Sequence, residues 1–141
     1  MDPVGLCKEI EGLEAEGIAI TPEKLLISDR AHVVLPYHRE LDAAREMSLG
    51  DKKIGTTKRG IGPTYADKAN RIGLRLADFR NPEKAKELIS TRLREANRTL
   101  AHFDLPTFET DAVFHEVEEA IDRLRPHFAN VIPVVHTSWK K

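Results

Sequence analysis

The chain of 141 residues has a single cysteine, Cys7. One thiol cannot close an internal disulfide, and nothing resembles the cysteine framework that staples small secreted domains. A reducing, cytoplasmic setting is the expectation. Cys7 lies in the helix-like run "LCKEI", where a structural role outweighs a nucleophilic one. Long apolar runs are also missing. None approaches the roughly 18 residues of a membrane span, and the start lacks the basic-then-apolar order of a signal peptide. No membrane partner is expected. Neither sign of charge is in excess: 22 Lys and Arg face 23 Asp and Glu, a net charge of −1. A general nucleic-acid binder carries a large basic surplus. Nucleic acid is therefore not expected as a partner, and any anion site must be local. Histidines at 32, 38, 102, 115, 127 and 136 never pair at a helical spacing of three or four, so no metal site is expected among them.

The residues present are helix-rich in pattern and fit one domain by length. Asp2-Pro3 is a cap followed by a first-turn proline. Leu6, Ile10 and Leu13 then recur at helical spacing up to Gly17, a candidate left-handed stop. "LLIS" (Leu25 to Ser28) reads as a short buried strand. "DRAHVVLPYH" is ambiguous: its valines favour strand, while Pro36 is suited to opening a helix that runs to Gly50. Pro63 sits in the first turn of another short helix, and "GLRLADF" reads as strand or turn. Asn81-Pro82 opens the strongest helix, with Ala85, Ile89, Leu93, Ala96, Leu100 and Phe103 in one stripe. Pro106 is the expected breaker. Thr110 is the expected cap of a last helix burying Val113, Val117, Ala120, Ile121, Leu124 and Phe128, and Pro126 ends or kinks it. "VIPVV" (Val131 to Val135) suggests a strand, weakened by Pro133. The expected fold class is a predominantly α-helical fragment with one or two short strands, and the family resemblance carried by the glycine-rich stretch implies a larger α/β, P-loop-like enzyme around it. The strands have no evident partner within the chain, and both ends read as cut from something longer.

The glycine-rich stretch from Lys52 to Arg71, "KKIGTTKRGIGPTYADKANR", carries the chemistry. It fails the P-loop template, because Ile61-Gly62 follow Gly60 where Lys-Ser/Thr is required. It also fails the dinucleotide fingerprint, because Tyr65 stands where a third glycine belongs. The ingredients of an anion site remain. Thr56 and Thr57 offer hydroxyls and N–H groups, and Gly55, Gly60 and Gly62 permit close approach. A helix N-terminus follows, and Lys58, Arg59, Lys68 and Arg71 supply positive charge. By composition alone, a flexible surface loop with incidental bases competes evenly with such a site.

Taken as a word, "GIGPTYADKANR" (Gly60 to Arg71) resembles the second signature of adenylosuccinate synthetases, Gly-Ile-Gly-Pro-x-Tyr-x-x-Lys-x-x-Arg. "IGTT" (Ile54 to Thr57), "LLISDRAHVVLPYHRELDAARE" (Leu25 to Glu46) and "DPVGLCKEIEGLEAEGI" are similar to the family in the same order. The resemblance is sharp from residue 2 to about 80. It implies GTP-dependent ligation of IMP and aspartate to adenylosuccinate, on the route to AMP, by a magnesium-requiring homodimer. It implies that Thr57 contacts the IMP 5′-phosphate and that Arg71 reaches the IMP of the partner subunit. Lys68 is the signature lysine near the active site, read as electrostatic support, with a structural ion pair as the equal alternative. Gly60, Gly62 and Pro63 shape the loop, and Tyr65 packs. The family's Gly-Asp-Glu-Gly-Lys-Gly loop, with its catalytic aspartate, is absent from the chain, as are the catalytic histidine and the guanine-recognising Lys-x-Asp. His32 and His38 belong to a different family segment. Residues 1–141 are thus expected to form one internal segment, a helical subdomain plus the IMP-phosphate loop, inactive alone. Neither GTP nor Mg2+ is expected to be held by its own residues. A stand-alone helical binding or oligomerisation module is the competing expectation.

Overall fold

The computed structural model describes residues 1–52 and 55–139. Part of the "IGTT" word, Ile54, lies outside the described residues. Six α-helices dominate: α1 (Pro3–Ala15), α2 (Pro36–Ser48), α3 (Ile61–Ala69), α4 (Pro82–His102), α5 (Thr110–Leu124) and α6 (Val131–Trp139). Short 3₁₀ turns occupy Gly50–Lys52, Leu76–Arg80 and Arg125–His127. Two strands of two residues, β1 (Ile27–Ser28) and β2 (Phe128–Ala129), pair in parallel, with Ile27 opposite Phe128 and Ser28 opposite Ala129.

Local chemistry accounts for both ends of α1 and of α4. The Asp2 carboxylate accepts the Gly5 amide at 3.0 Å and caps α1. The helix stops in a Schellman motif: Ile18 N–H donates to Leu13 C=O and Gly17 N–H to Glu14 C=O, with Gly17 at φ 82°. A residue without Cβ takes that left-handed position at low cost. The Asn81 side chain caps α4 by accepting the Lys84 amide at 3.1 Å. The same helix does not run on to Pro106. Asp104 adopts φ 54° and Leu105 N–H donates to Leu100 C=O, so an aspartate serves where glycine is usual. Thr110 is the first helical residue of α5 rather than its cap. Glu109 holds the cap position and makes no side-chain cap bond.

The core lies where α4 and α5 cross each other and α1 and α2 close the sides. Ala85, Ile89, Leu93, Ala96 and Leu100 line the buried stripe of α4, and Val113, Phe114, Val117, Ile121 and Leu124 face them from α5. Phe79 stacks on Phe114 with ring centroids 6.5 Å apart. Each buried Val, Leu, Ile or Phe side chain here contributes about 1.5–3 kcal/mol by leaving water. Cys7 is buried against this core, its thiol 3.5 Å from the Ala120 carbonyl. Burial pushes the thiol's pKa up, partly opposed by Arg123, so it is a poor nucleophile at neutral pH.

Two expectations are overturned. "LLIS" does form a strand, but it has a partner about a hundred residues away. Asp29 N–H extends the pairing to Ala129 C=O at 3.2 Å, and the His127 ring donates from Nδ1 to Leu25 C=O at 3.1 Å beside it. "VIPVV" is helical, opening α6. Pro133 is the third residue of that helix, a position where the backbone nitrogen has no intrahelical acceptor to lose. No residue of α6 is buried, and Ile132, Val134, Val135 and Trp139 stand exposed.

Candidate functional site: a loop bedded on helix α2

Three residues of α2, four apart, are polar and buried: His38, Asp42 and Glu46, exposed by 1%, 7% and 6%. That spacing puts them one above another on one helical face. Each has a partner in the glycine-rich segment. Glu46 Oε2 accepts the Gly55 amide at 3.2 Å. Asp42 Oδ2 accepts the Gly60 amide at 3.2 Å. His38 Nδ1 accepts the Leu35 amide at 2.9 Å, which leaves the proton on Nε2 to donate to Asp67 of α3 at 3.0 Å. The loop and its following helix therefore rest on α2 at three successive levels.

Gly60 is fixed by both conformation and space. It sits at φ 71°, and a Cβ there would lie 2.8 Å from the Arg39 nitrogen and the His38 carbonyl carbon. Its carbonyl accepts the Thr64 amide at 3.1 Å and the Thr64 hydroxyl at 2.8 Å. Gly62 is different: it is exposed within α3, with nothing within 4 Å of where a Cβ would stand. Pro63 is the half-buried third residue of α3.

Between the two anchored amides the chain turns outward. Lys58 adopts φ 53°, and its amide donates to the Thr56 hydroxyl at 3.4 Å. Thr57, Lys58 and Arg59 are exposed. Lys68 is exposed on α3, with its ammonium 5.3 Å above the Tyr65 ring. Tyr65 is not in the core; it is 64% exposed. Lys68 and Tyr65 line a cleft of ≈ 250 Å³ with Arg30, His32 and Thr64. Burial first, then the cations Arg75 and Lys68, hold the His32 imidazole below its ordinary pKa. Arg71 follows the end of α3 at φ 61°, with its side chain exposed. It is held there because Asp67 C=O accepts both the Ile72 amide at 2.9 Å and the Gly73 amide at 3.1 Å. Among the described residues, no hydrogen bond or ion pair joins Thr57, Lys68 and Arg71 to one another. They share one loop–helix unit, with Thr57 on the loop, Lys68 on α3 and Arg71 just past its end.

The family model for adenylosuccinate synthetase matches residues 1–141. The chain belongs to the adenylosuccinate synthetase family. An adenylosuccinate synthetase of Nitratidesulfovibrio vulgaris is 43% identical over 141 residues, covering 99% of this chain and 33% of that protein. The enzyme of Desulforapulum autotrophicum is 45% identical over 132 residues, 93% of this chain and 31% of that one. Among solved structures, a fully ligated adenylosuccinate synthetase from Plasmodium falciparum superposes with a TM-score of 0.78 at 28% identity, over 99% of this chain and 32% of that chain. The chain thus spans about a third of the length of these synthetases.

The Asp42 and Glu46 contacts escaped the sequence reading. A signal was there. Like charges four apart on a solvated helix repel, and a helix that keeps such a pair has neutralised or bonded it elsewhere.

Proposed function

We propose that this chain supplies the IMP-phosphate-binding part of an adenylosuccinate synthetase, the ligase that joins IMP to aspartate with GTP. The observation that carries this reading is an exposed, threonine-bearing cationic loop, bonded at both ends to buried carboxylates of α2, in a chain of this family. A threonine hydroxyl with backbone N–H groups beside it is a natural phosphate donor set, and the nearby cations add attraction without base recognition. On this reading Thr57 donates to the 5′-phosphate. Lys68, held off from any carboxylate among the described residues, raises the local positive potential. Arg71 reaches IMP bound by a partner subunit in a homodimer, where the planar guanidinium fork suits a phosphate better than an ammonium does.

GTP, magnesium and aspartate complete the proposed reaction, and a cytoplasmic location goes with it. Among the described residues no three His, Cys, Asp or Glu side chains gather as metal ligands, and the sequence contains no Gly-Asp-Glu-Gly-Lys-Gly loop. The described residues of this chain do not fit a magnesium–nucleotide site. No helix among the described residues is long and apolar enough to cross a membrane. Titration calorimetry with IMP tests the assignment: the parent chain releases binding heat and Thr57→Ala loses it. Equal heats from the two proteins would overturn the role of Thr57.

A further inference from the structure

Asp42 and Glu46 lie on one face of α2, both nearly buried, and each holds one backbone amide of the glycine-rich segment. Those amides, Gly55 and Gly60, bracket the four residues Thr56 to Arg59. Helix geometry fixes the rise between the Cα positions of the two residues at about 6 Å, four residues at 1.5 Å each. The loop between them must therefore span a set distance, and its surplus chain bulges outward with Thr57 exposed. Gly60 reinforces this constraint, because its contact with the α2 backbone leaves no room for a side chain.

We propose that Asp42, with Glu46 as its companion, is a positioning residue for anion binding: the two carboxylates set the width of the loop that presents Thr57 to a phosphomonoester. This rests on the phosphate reading above. Neither carboxylate touches the ligand. A negative charge placed directly under a phosphate site opposes binding by simple repulsion. Its presence makes sense when each carboxylate is spent on a backbone N–H and its geometry outweighs that repulsion.

The two attributes, geometry and charge, are separable by substitution. Asp42→Asn keeps an acceptor oxygen at the same reach and removes the charge. Asp42→Glu keeps the charge and displaces the acceptor by one methylene. The readouts are IMP affinity by calorimetry and the Gly60 amide proton resonance, which moves when its acceptor is lost. Expected for Asp42→Asn is IMP affinity within about threefold of the parent or tighter, with the Gly60 resonance close to its original position. Expected for Asp42→Glu is affinity weakened about tenfold, the scale of one hydrogen bond's contribution, with the Gly60 resonance displaced. Urea melts of both variants separate this ordering from a general loss of stability, which would lower the unfolding midpoint without singling out the Gly60 resonance.

The proposal is overturned if Asp42→Glu binds IMP like the parent while its Gly60 resonance moves. It is equally overturned if Asp42→Asn is the weaker binder, because charge rather than reach would then be the active property. Thr57→Ala separates this failure from that of the underlying reading. If Thr57→Ala weakens binding and Asp42→Glu does not, only the positioning role falls. If Thr57→Ala binds IMP normally, the phosphate reading falls and the positioning role falls with it.

Discussion

His38 of α2 and Asp67 of α3 are bonded at 3.0 Å, imidazole Nε2 to carboxylate. The bond links two helices whose sequences are separated by the whole glycine-rich loop. His38 is spent on both sides, since Nδ1 also accepts the Leu35 amide that opens α2. Replacing it with alanine strands a buried backbone N–H and removes a donor from Asp67. The cost of such unsatisfied groups and the lost packing adds to about 2–4 kcal/mol. Urea melts of His38→Ala against the parent measure it. A loss under 1 kcal/mol would mean that water replaces the ring at both partners.

Gly60 and Gly62 differ sharply although they are two residues apart in the same word. Gly60→Ala must accept a left-handed backbone and a 2.8 Å approach to the α2 backbone. A destabilisation of at least about 2 kcal/mol is expected, the sum of strain and displacement. Gly62→Ala enters open space on a helix, where alanine gains about 0.5–1 kcal/mol over glycine. Thermal melts of the two single variants should move in opposite directions. A fall in melting temperature for Gly62→Ala would point to a ligand or partner surface that needs the bare backbone.

Arg71 carries a similar local cost, since a residue with a Cβ sits at φ 61° just past α3. Arg71→Gly relieves about 1 kcal/mol of left-handed strain, partly offset by the larger entropy of a glycine in the unfolded chain. The expected outcome is an unchanged or slightly raised melting temperature together with loss of any IMP contact across a dimer. Differential scanning calorimetry checks the first part, and titration calorimetry with IMP on the parent and Arg71→Gly checks the second. A clear drop in stability would show that the Arg71 side chain has a structural partner.

How far these features could be read from the sequence depends on how local their causes are. The α4 helix was plain, because Asn81-Pro82 starts it and an apolar residue recurs every three or four positions to Leu100. The capping of α1 by Asp2 and its stop at Gly17 are equally local. By contrast, β1 and β2 are two-residue strands brought together from opposite ends of the chain, and no window of sequence contains both. "VIPVV" misled because β-branched residues favour strands on average, while a proline near a helix start is harmless. In the site, the loop was legible as a family word from Gly60 to Arg71. Its bed was not. Asp42 and Glu46 look like ordinary solvated helix charges until the loop's amides are seen folded over them.

Alkaline pH tests the same α2–α3 contact from the side of Tyr37. Its hydroxyl is buried and donates to Asp67 at 3.3 Å. Burial first and the neighbouring Asp67 carboxylate second hold its pKa well above the ordinary value of 10.0. In the unfolded chain the phenol titrates near 10. Below that pH both states keep the proton, and the interaction's contribution is fully present. Above it the unfolded state releases a proton that the folded state retains, so the folded state binds more protons and stability falls as pH rises. The slope attributable to Tyr37 is about half of 1.4 kcal/mol per pH unit at pH 10 and approaches the full value above pH 11. Tyr37→Phe lacks the titrating group. At pH 8 it should be less stable than the parent by about 0.5–1.5 kcal/mol, the net value of one hydrogen bond. The gap should then close by about 1 kcal/mol between pH 10 and 11, since only the parent carries this proton linkage. Urea melts of both proteins from pH 8 to 11 give the difference directly, and titrations common to both, such as those of lysines and the exposed Tyr65, cancel. A gap that stays constant across that range would mean Tyr37 ionises in the folded protein as easily as in water, and the buried bond to Asp67 would have to be discarded.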